Sequence, residues 1–162
     1  MTVSAAGPIA SFIASGRLYG VGIDSTLMEL QQAISCDFVD VVDEDGDSMR
    51  RDYGFIEFYL NSGENWSVSG GAIELHRLAA HGDMADRWRA AMRDDFPQYL
   101  AWDELYGDFS KLPNPPALQN IDQGDFQEYR ASATKVSVLV NNDHEERDEW
   151  LGHGDVWSVS LG

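Results

Sequence analysis

Two β-prone segments separated by an Asp-Gly step constrain this chain more than any other feature. FVDVV (Phe38 to Val42) and YGFIEFYL (Tyr53 to Leu60) are rich in β-branched and aromatic residues, and DEDGDSMRRD lies between them. Glycine takes positive φ without strain and Asp tolerates it, so Asp45-Gly46 predicts the tip of a hairpin joining the two segments. The acids also invite a calcium reading. An EF-hand loop needs oxygen ligands at positions 1, 3, 5 and 12 and glycine at 6. Starting at Asp43 places Ser48 sixth and Gly54 twelfth; making Gly46 the sixth residue makes Val41 the first ligand. Neither register supplies the set.

Within the second segment Ile56, Phe58 and Leu60 share one face and Tyr53, Phe55, Glu57 and Tyr59 the other, which predicts a central strand covered on both sides. Elsewhere the signals alternate between helix and strand. Gly7-Pro8 opens a short helix carrying Ile9, Phe12 and Ile13, with Gly16 near its end. Thr26 and Glu29 form a capping box ahead of Leu27, Leu30 and Ile34. WSVSGGAIELHRLA reads as strand with an irregularity at Gly70-Gly71. Asp83 is placed to cap a helix with the apolar stripe Met84, Trp88, Ala91 and Met92, and AWDELYGDF reads as a further helix ending near Gly107. LPNPPALQ is a surface connection. Val136, Val138 and Val140 alternate in one late strand, and DVWSVSL (Asp155 to Leu161) forms another. The expected fold is α+β, one domain spanning 1–162, a mainly antiparallel sheet packed with several short helices.

Charge narrows the partners. Acids outnumber Lys and Arg by 28 to 11, a formal charge of −17. Residues 1–81 hold 4 basic and 12 acidic groups and residues 82–162 hold 7 and 16, so the halves carry −8 and −9. The acidity belongs to the whole fold. Such a surface repels nucleic acid and anionic membranes and speeds encounter with a basic protein; solubility alone is the simpler account of it. The single Cys36 excludes an intramolecular disulfide and favours the cytoplasm. The first residues make a poor signal peptide, and no apolar run reaches membrane-spanning length.

No catalytic constellation emerges. His144 and His153 are nine residues apart where a zinc helix needs four, and no metal or other cofactor is expected. Cys36 has no base partner in view and reads as a small apolar residue. The glycines of LYGVGID lack phosphate-binding spacing, and no Gly-x-Ser-x-Gly elbow is present. Glu57, among aromatics, is either a functional carboxylate or an acid paired with Arg51 or Arg77; pairing is the expectation. A small-ligand-binding domain or enzyme using Glu57, His76 and Arg77 is the alternative to a non-enzymatic protein.

RRDYGFIEFYL (Arg50 to Leu60), AIELHRLA (Ala72 to Ala79) and GDVWSVSL (Gly154 to Leu161) together resemble a group of small actinobacterial proteins that look like immunity proteins of polymorphic toxin systems. GVGIDSTLMELQQAI is also similar to the helix opening of β-lactamase inhibitor proteins, from which this chain departs in having one cysteine. The first resemblance implies a cytoplasmic, enzymatically inert protein that neutralises a cognate, basic toxin domain. It transfers no catalytic residues. The expected state is a monomer or weak dimer.

The expected contact surface is built from two acidic excursions. One is Asp43, Glu44, Asp45 and Asp47; the other is Asp143, Glu145, Glu146, Asp148 and Glu149, with Trp150 as an anchor. The alternating valines and aromatics are expected inside the sheet core, and so away from a partner. Arg50, Arg51 and Asp52 are expected to form exposed structural pairs with the acidic tip and neighbouring strands.

Overall fold

A computed structural model describes residues 7–145 and 151–162. Its first helices follow the local signals. Helix α1 (Gly7–Ser15) buries Ile9, Phe12 and Ile13, and Gly16 ends it at φ 71° with its N–H donated to the Phe12 carbonyl at 2.8 Å. Helix α2 (Leu27–Ala33) carries the full Thr26/Glu29 capping box and buries Leu30. The Gly16 position is closed to any side chain. A Cβ there would lie 2.8 Å from the Thr134 carbonyl oxygen, and Thr134 itself donates its hydroxyl to the Ile13 carbonyl at 2.7 Å. Gly16→Ala is therefore expected to cost about 2 kcal/mol, combining left-handed strain with the close approach. Urea denaturation checks this, and a loss below about 0.5 kcal/mol would mean that the contact relaxes freely.

The hairpin forms with a different second strand from the one expected. Strand β1 (Val39–Val42) pairs with β2 (Ser48–Asp52), and the aromatic segment supplies a third strand, β3 (Ile56–Asn61). SMRRD looks too charged for a strand, but its charges are met across the ladder. Arg51 forms a two-pronged pair with Asp40 on β1, both contacts 2.8 Å, and lies over the Phe38 ring. The Arg51 side chain is buried, so the expectation of an exposed pair is corrected. Gly54, at φ 111°, breaks the two-residue alternation, sending Tyr53 and Phe55 into the core against Trp88 instead of onto the face of Glu57 and Tyr59.

Strand β4 (Ser67–Ile73) follows, with a register shift between Tyr59 and Leu60 beside the two glycines. ELHRLA then leaves the sheet as helix α3 (Leu75–Ala80), burying Leu75, Leu78 and Ala79 at helical spacing. This overturns the strand expected there. Helix α4 (Asp83–Met92) buries Ala85 and Trp88; Gly82 is its N-cap, and Asp83 makes no side-chain cap bond. Helix α5 (Trp102–Ser110) runs through Gly107 and buries Trp102, Leu105 and Phe109. Two strands without a clear apolar alternation, β5 (Gln119–Asp122) and β6 (Phe126–Ala131), precede β7 (Val136–Asn141) and β8 (Val156–Leu161).

All eight strands form one antiparallel sheet in the order β1-β2-β3-β4-β8-β7-β6-β5, two four-stranded meanders meeting at their last strands. The core lies on one face, where Phe58, Leu60, Val136, Val138, Val159 and Leu161 join the apolar sides of the helices. The other face carries Arg50, Asp52, Glu57, Tyr59, Ser160, Ser137 and Arg130. The α+β class and the antiparallel sheet are as the sequence predicts. No described helix is long and apolar enough to cross a membrane.

Candidate functional site

The β1–β2 tip is ordered by its own first acid. The Asp43 carboxylate accepts from the Asp47 and Ser48 backbone N–H groups at 3.0 and 3.3 Å and from the Ser48 hydroxyl at 2.9 Å. Those bonds, led by the Ser48 hydroxyl, hold its pKa below the ordinary carboxylate range. Gly46 supplies the positive φ the turn needs and donates to the Asp43 carbonyl. Glu44, Asp45 and Asp47 are exposed around this frame. Asp43 thus builds the tip, and its three neighbours present charge. Because the Asp43 oxygens face the loop's own donors, calorimetry with calcium is expected to show no micromolar site at this tip. Such a site, lost in Asp45→Asn, would overturn the assignment.

The second acidic excursion leaves the other end of the sheet. Ser48 pairs with Asn61 and Asn61 with Ser67 at the end bearing the tip, whereas Asp52, Glu57 and Ile73 mark the opposite end. Val159 sits opposite Ile73 and Val140 opposite Val156, so the connection from β7 to β8 emerges at that opposite end. Asp143 and Glu145 therefore stand away from Glu44, Asp45 and Asp47. Glu146, Asp148, Glu149 and Trp150 lie outside the described residues. His144 and His153 stack with ring centroids 3.9 Å apart, and His153 Nε2 is 3.2 Å from Asn142 Oδ1. Among the described residues no group of three His, Cys, Asp or Glu is placed to hold a metal ion.

No family model, curated protein or solved structure matches this chain.

The largest departure from the expected surface is apolar. Val39, Val41 and Val42 are 65%, 48% and 50% exposed, and Phe38 and Tyr59 are exposed with them. Among the described residues these are five of the eight exposed large hydrophobics; four lie on or next to β1, the last strand of the sheet, and Tyr59, on β3, lies across β2 from Val41. The alternating valines Val136, Val138 and Val140 are hidden as expected, but those of FVDVV are open because β1 is the last strand of the sheet. An alternating pattern shows which residues share a face; it does not show whether another strand or layer covers them. Trp102 is buried and stacked on Tyr129, while Tyr99 and Tyr106 beside it are exposed singly, without the run of neighbours that β1 presents.

Glu57, His76 and Arg77 do come together, on the far face near the end of β4. Glu57 is 4% exposed and accepts from the Tyr59 hydroxyl at 2.5 Å and from Arg77 Nη1 at 3.2 Å, with Arg50 at 3.9 Å. Arg77 also donates to the Gly54 carbonyl, tying α3 to the β2–β3 turn. His76 stacks on Trp157 and is 3.2 Å from Glu74. Burial, then the bond to Glu57, raises the Tyr59 phenol and keeps it a donor. This cluster consumes its own charges: the Glu57 carboxylate is spent on Tyr59 and Arg77, as the pairing expectation required, with Arg77 and not Arg51 as partner. Cys36 is partly buried, and burial followed by Asp37 raises its thiol, the reverse of nucleophile activation.

Glu74 is the member of this region held against its preference. Burial raises its pKa above the ordinary value, opposed by His76 and Arg77. A raised carboxyl pKa means that the native state holds the proton more tightly than the unfolded chain. Stability is then lost as pH rises from the unfolded value through the folded one. Glu74→Gln is expected to unfold at higher temperature than the wild type at pH 7 and at the same temperature near pH 4. Equal midpoints at both pH values would remove the burial argument.

Proposed function

We propose that this chain is a protein-binding inhibitor that neutralises a basic partner, as an immunity protein neutralises its toxin. One observation carries the reading: the exposed Val42, Val41 and Tyr59 lie on the two ladder rungs next to the Asp43–Ser48 pair that closes the acidic tip. Apolar area at the centre of a contact supplies affinity, while charge beside it steers encounter and selects the partner. The net charge of −17 extends that field over the whole molecule and opposes binding to nucleic acid. Inhibition in this reading is steric. The sheet edge and tip cover the cleft in which the partner takes its own anionic substrate. A toxin acting on the cell that makes it is met in the cytoplasm, and a chain with one cysteine needs no oxidising compartment to fold.

Co-expression with a toxin domain encoded beside this chain, scored as growth rescue, tests the reading. Rescue is expected, and it should weaken at least tenfold in dose when Glu44, Asp45 and Asp47 are replaced by Gln, Asn and Asn. Rescue indifferent to that variant moves the contact elsewhere. Failure to relieve the toxicity of any such neighbour removes the inhibitor reading.

A further inference from the structure

We infer that β1 is an open docking edge that accepts an extended segment of a basic partner as a ninth strand. The inference rests on the binding function proposed above and names how contact is made. The backbone supplies the first step. Asp43 donates its N–H to the Ser48 carbonyl at 3.0 Å, so residues 43 and 48 form a hydrogen-bonded pair of the antiparallel ladder. Such pairs alternate with non-bonded ones, so Val41 opposite Arg50 and Val39 opposite Asp52 also point their backbone groups into the sheet. Asp40 and Val42, on the alternate rungs, point theirs outward. Their two N–H and two C=O groups, on the outer side of the last strand, form the template an added strand pairs with.

The second step is that nothing blunts this edge. Natural sheets guard their edges with lysine, proline, bulges or charges that face an incoming strand. β1 has no lysine or proline and no bulge, and its single acid, Asp40, is turned onto Arg51. The opposite edge differs. β5 exposes Gln119, Asn120 and Asp122 and follows Pro113, Pro115 and Pro116. One margin of the sheet is thus polar and approached by prolines, while the other offers Val39, Val41 and Val42 to a neighbour.

Charge chooses the occupant. A second copy pairing through β1 would bring two molecules of charge −17 together and lay each acidic tip along the other's edge. A segment that alternates apolar and basic residues meets Val39 and Val41, which share a face, with one set of side chains, and carries the other set on the face of Asp40 and Val42, along which the strand runs toward Glu44, Asp45 and Asp47. The edge therefore suits a basic chain in extended form.

The test uses a capped synthetic peptide of alternating lysine and valine, titrated into the labelled protein and followed by backbone amide NMR. Shifts are expected to centre on residues 38–43, with the Asp40 and Val42 amides protected from exchange. Val42→Pro removes an outward N–H and no ladder bond, so it should weaken peptide binding at least tenfold at an unchanged unfolding midpoint. A peptide N-methylated at alternate residues should not bind the wild-type protein, a check independent of how the variant folds. Binding that survives both Val42→Pro and N-methylation, yet is lost on neutralising the tip, overturns strand addition and leaves the acidic-contact reading standing. Binding indifferent to edge and tip alike overturns both. Equal binding of an alternating glutamate–valine peptide overturns the basic occupant. So does a dimer in sedimentation equilibrium that Val42→Pro dissolves, since the occupant is then a second copy.

Discussion

Trp88→Ala is expected to lower stability by about 4 kcal/mol. Trp88, 1% exposed on α4, is where the helical layer meets the turn between β2 and β3. Its ring lies within 6.0 Å, centroid to centroid, of those of Tyr19, Tyr53, Phe55 and Phe96, with the last three met edge-on. Deleting it opens a cavity bordered by four rings that are fixed from other directions and cannot all collapse into it. A polar loss adds to this. The indole N–H donates to the Tyr19 hydroxyl at 3.0 Å, and that hydroxyl donates to Asp94 at 2.8 Å, linking α4 to the loop before α2 and to the segment after α4. Trp88→Phe keeps most of the apolar volume and breaks this chain, so it should cost about half as much. For a chain of this length the alanine variant corresponds to a drop of roughly 8–16 °C in Tm. Chemical denaturation giving less than about 1.5 kcal/mol would show that the site repacks, and that the aromatic cluster is not what fixes α4 to the sheet.

Arg77→Met is expected to cost about 3 kcal/mol, although the Arg77 side chain is itself only partly buried. The loss arises at Glu57, whose buried carboxylate keeps the Tyr59 hydroxyl and the more distant Arg50 but loses its near guanidinium. Removing one partner of a buried pair leaves an uncompensated charge; removing both leaves none. Glu57→Gln/Arg77→Met should therefore recover most of the loss, finishing within about 1 kcal/mol of the wild type. A double variant as unstable as the single one would instead trace the damage to the Arg77 bond to the Gly54 carbonyl. If Arg77→Met unfolds like the wild type, Glu57 is already satisfied without it. The variant also separates structure from contact. The cluster shares Tyr59 with the exposed patch but supplies none of the outward backbone of β1, so binding to a basic peptide should survive wherever the protein remains folded.

Local signals settled much of the architecture. The Thr26/Glu29 box, the glycine at the end of α1, the Asp45-Gly46 turn and the valine alternation of β7 each rest on interactions within a few residues, and each appears as read. The errors share a physical cause. SMRRD does not read as a strand because its charges are answered by Asp40 and Glu57 on neighbouring strands, partners that composition along the chain cannot supply. β5 and β6 have no strand signal of their own because QNID and FQEYRA carry little alternation, and their pairing comes from the β7 ladder. ELHRLA looked like more strand because Leu75 and Leu78 serve an end-capping helix as readily as a buried strand.

The candidate site divides the same way. The tip and its charges were legible, since an Asp-Gly turn between strands has to be exposed. That FVDVV would be the last strand, with its valines open and its outward backbone unpaired, depended on where the two meanders join, and that is decided by pairing between β4 and β8. The same join sends the second acidic excursion to the far end of the sheet. By itself the sequence determined the first two helices, the Thr26/Glu29 box, the Asp45-Gly46 turn, the β7 and β8 strands and the acidity of the surface, because those follow from neighbours in the chain and from counting. Which edge stays open, and which charges stand beside it, was left to the tertiary structure, because strand order and burial arise from contacts between segments far apart along the chain.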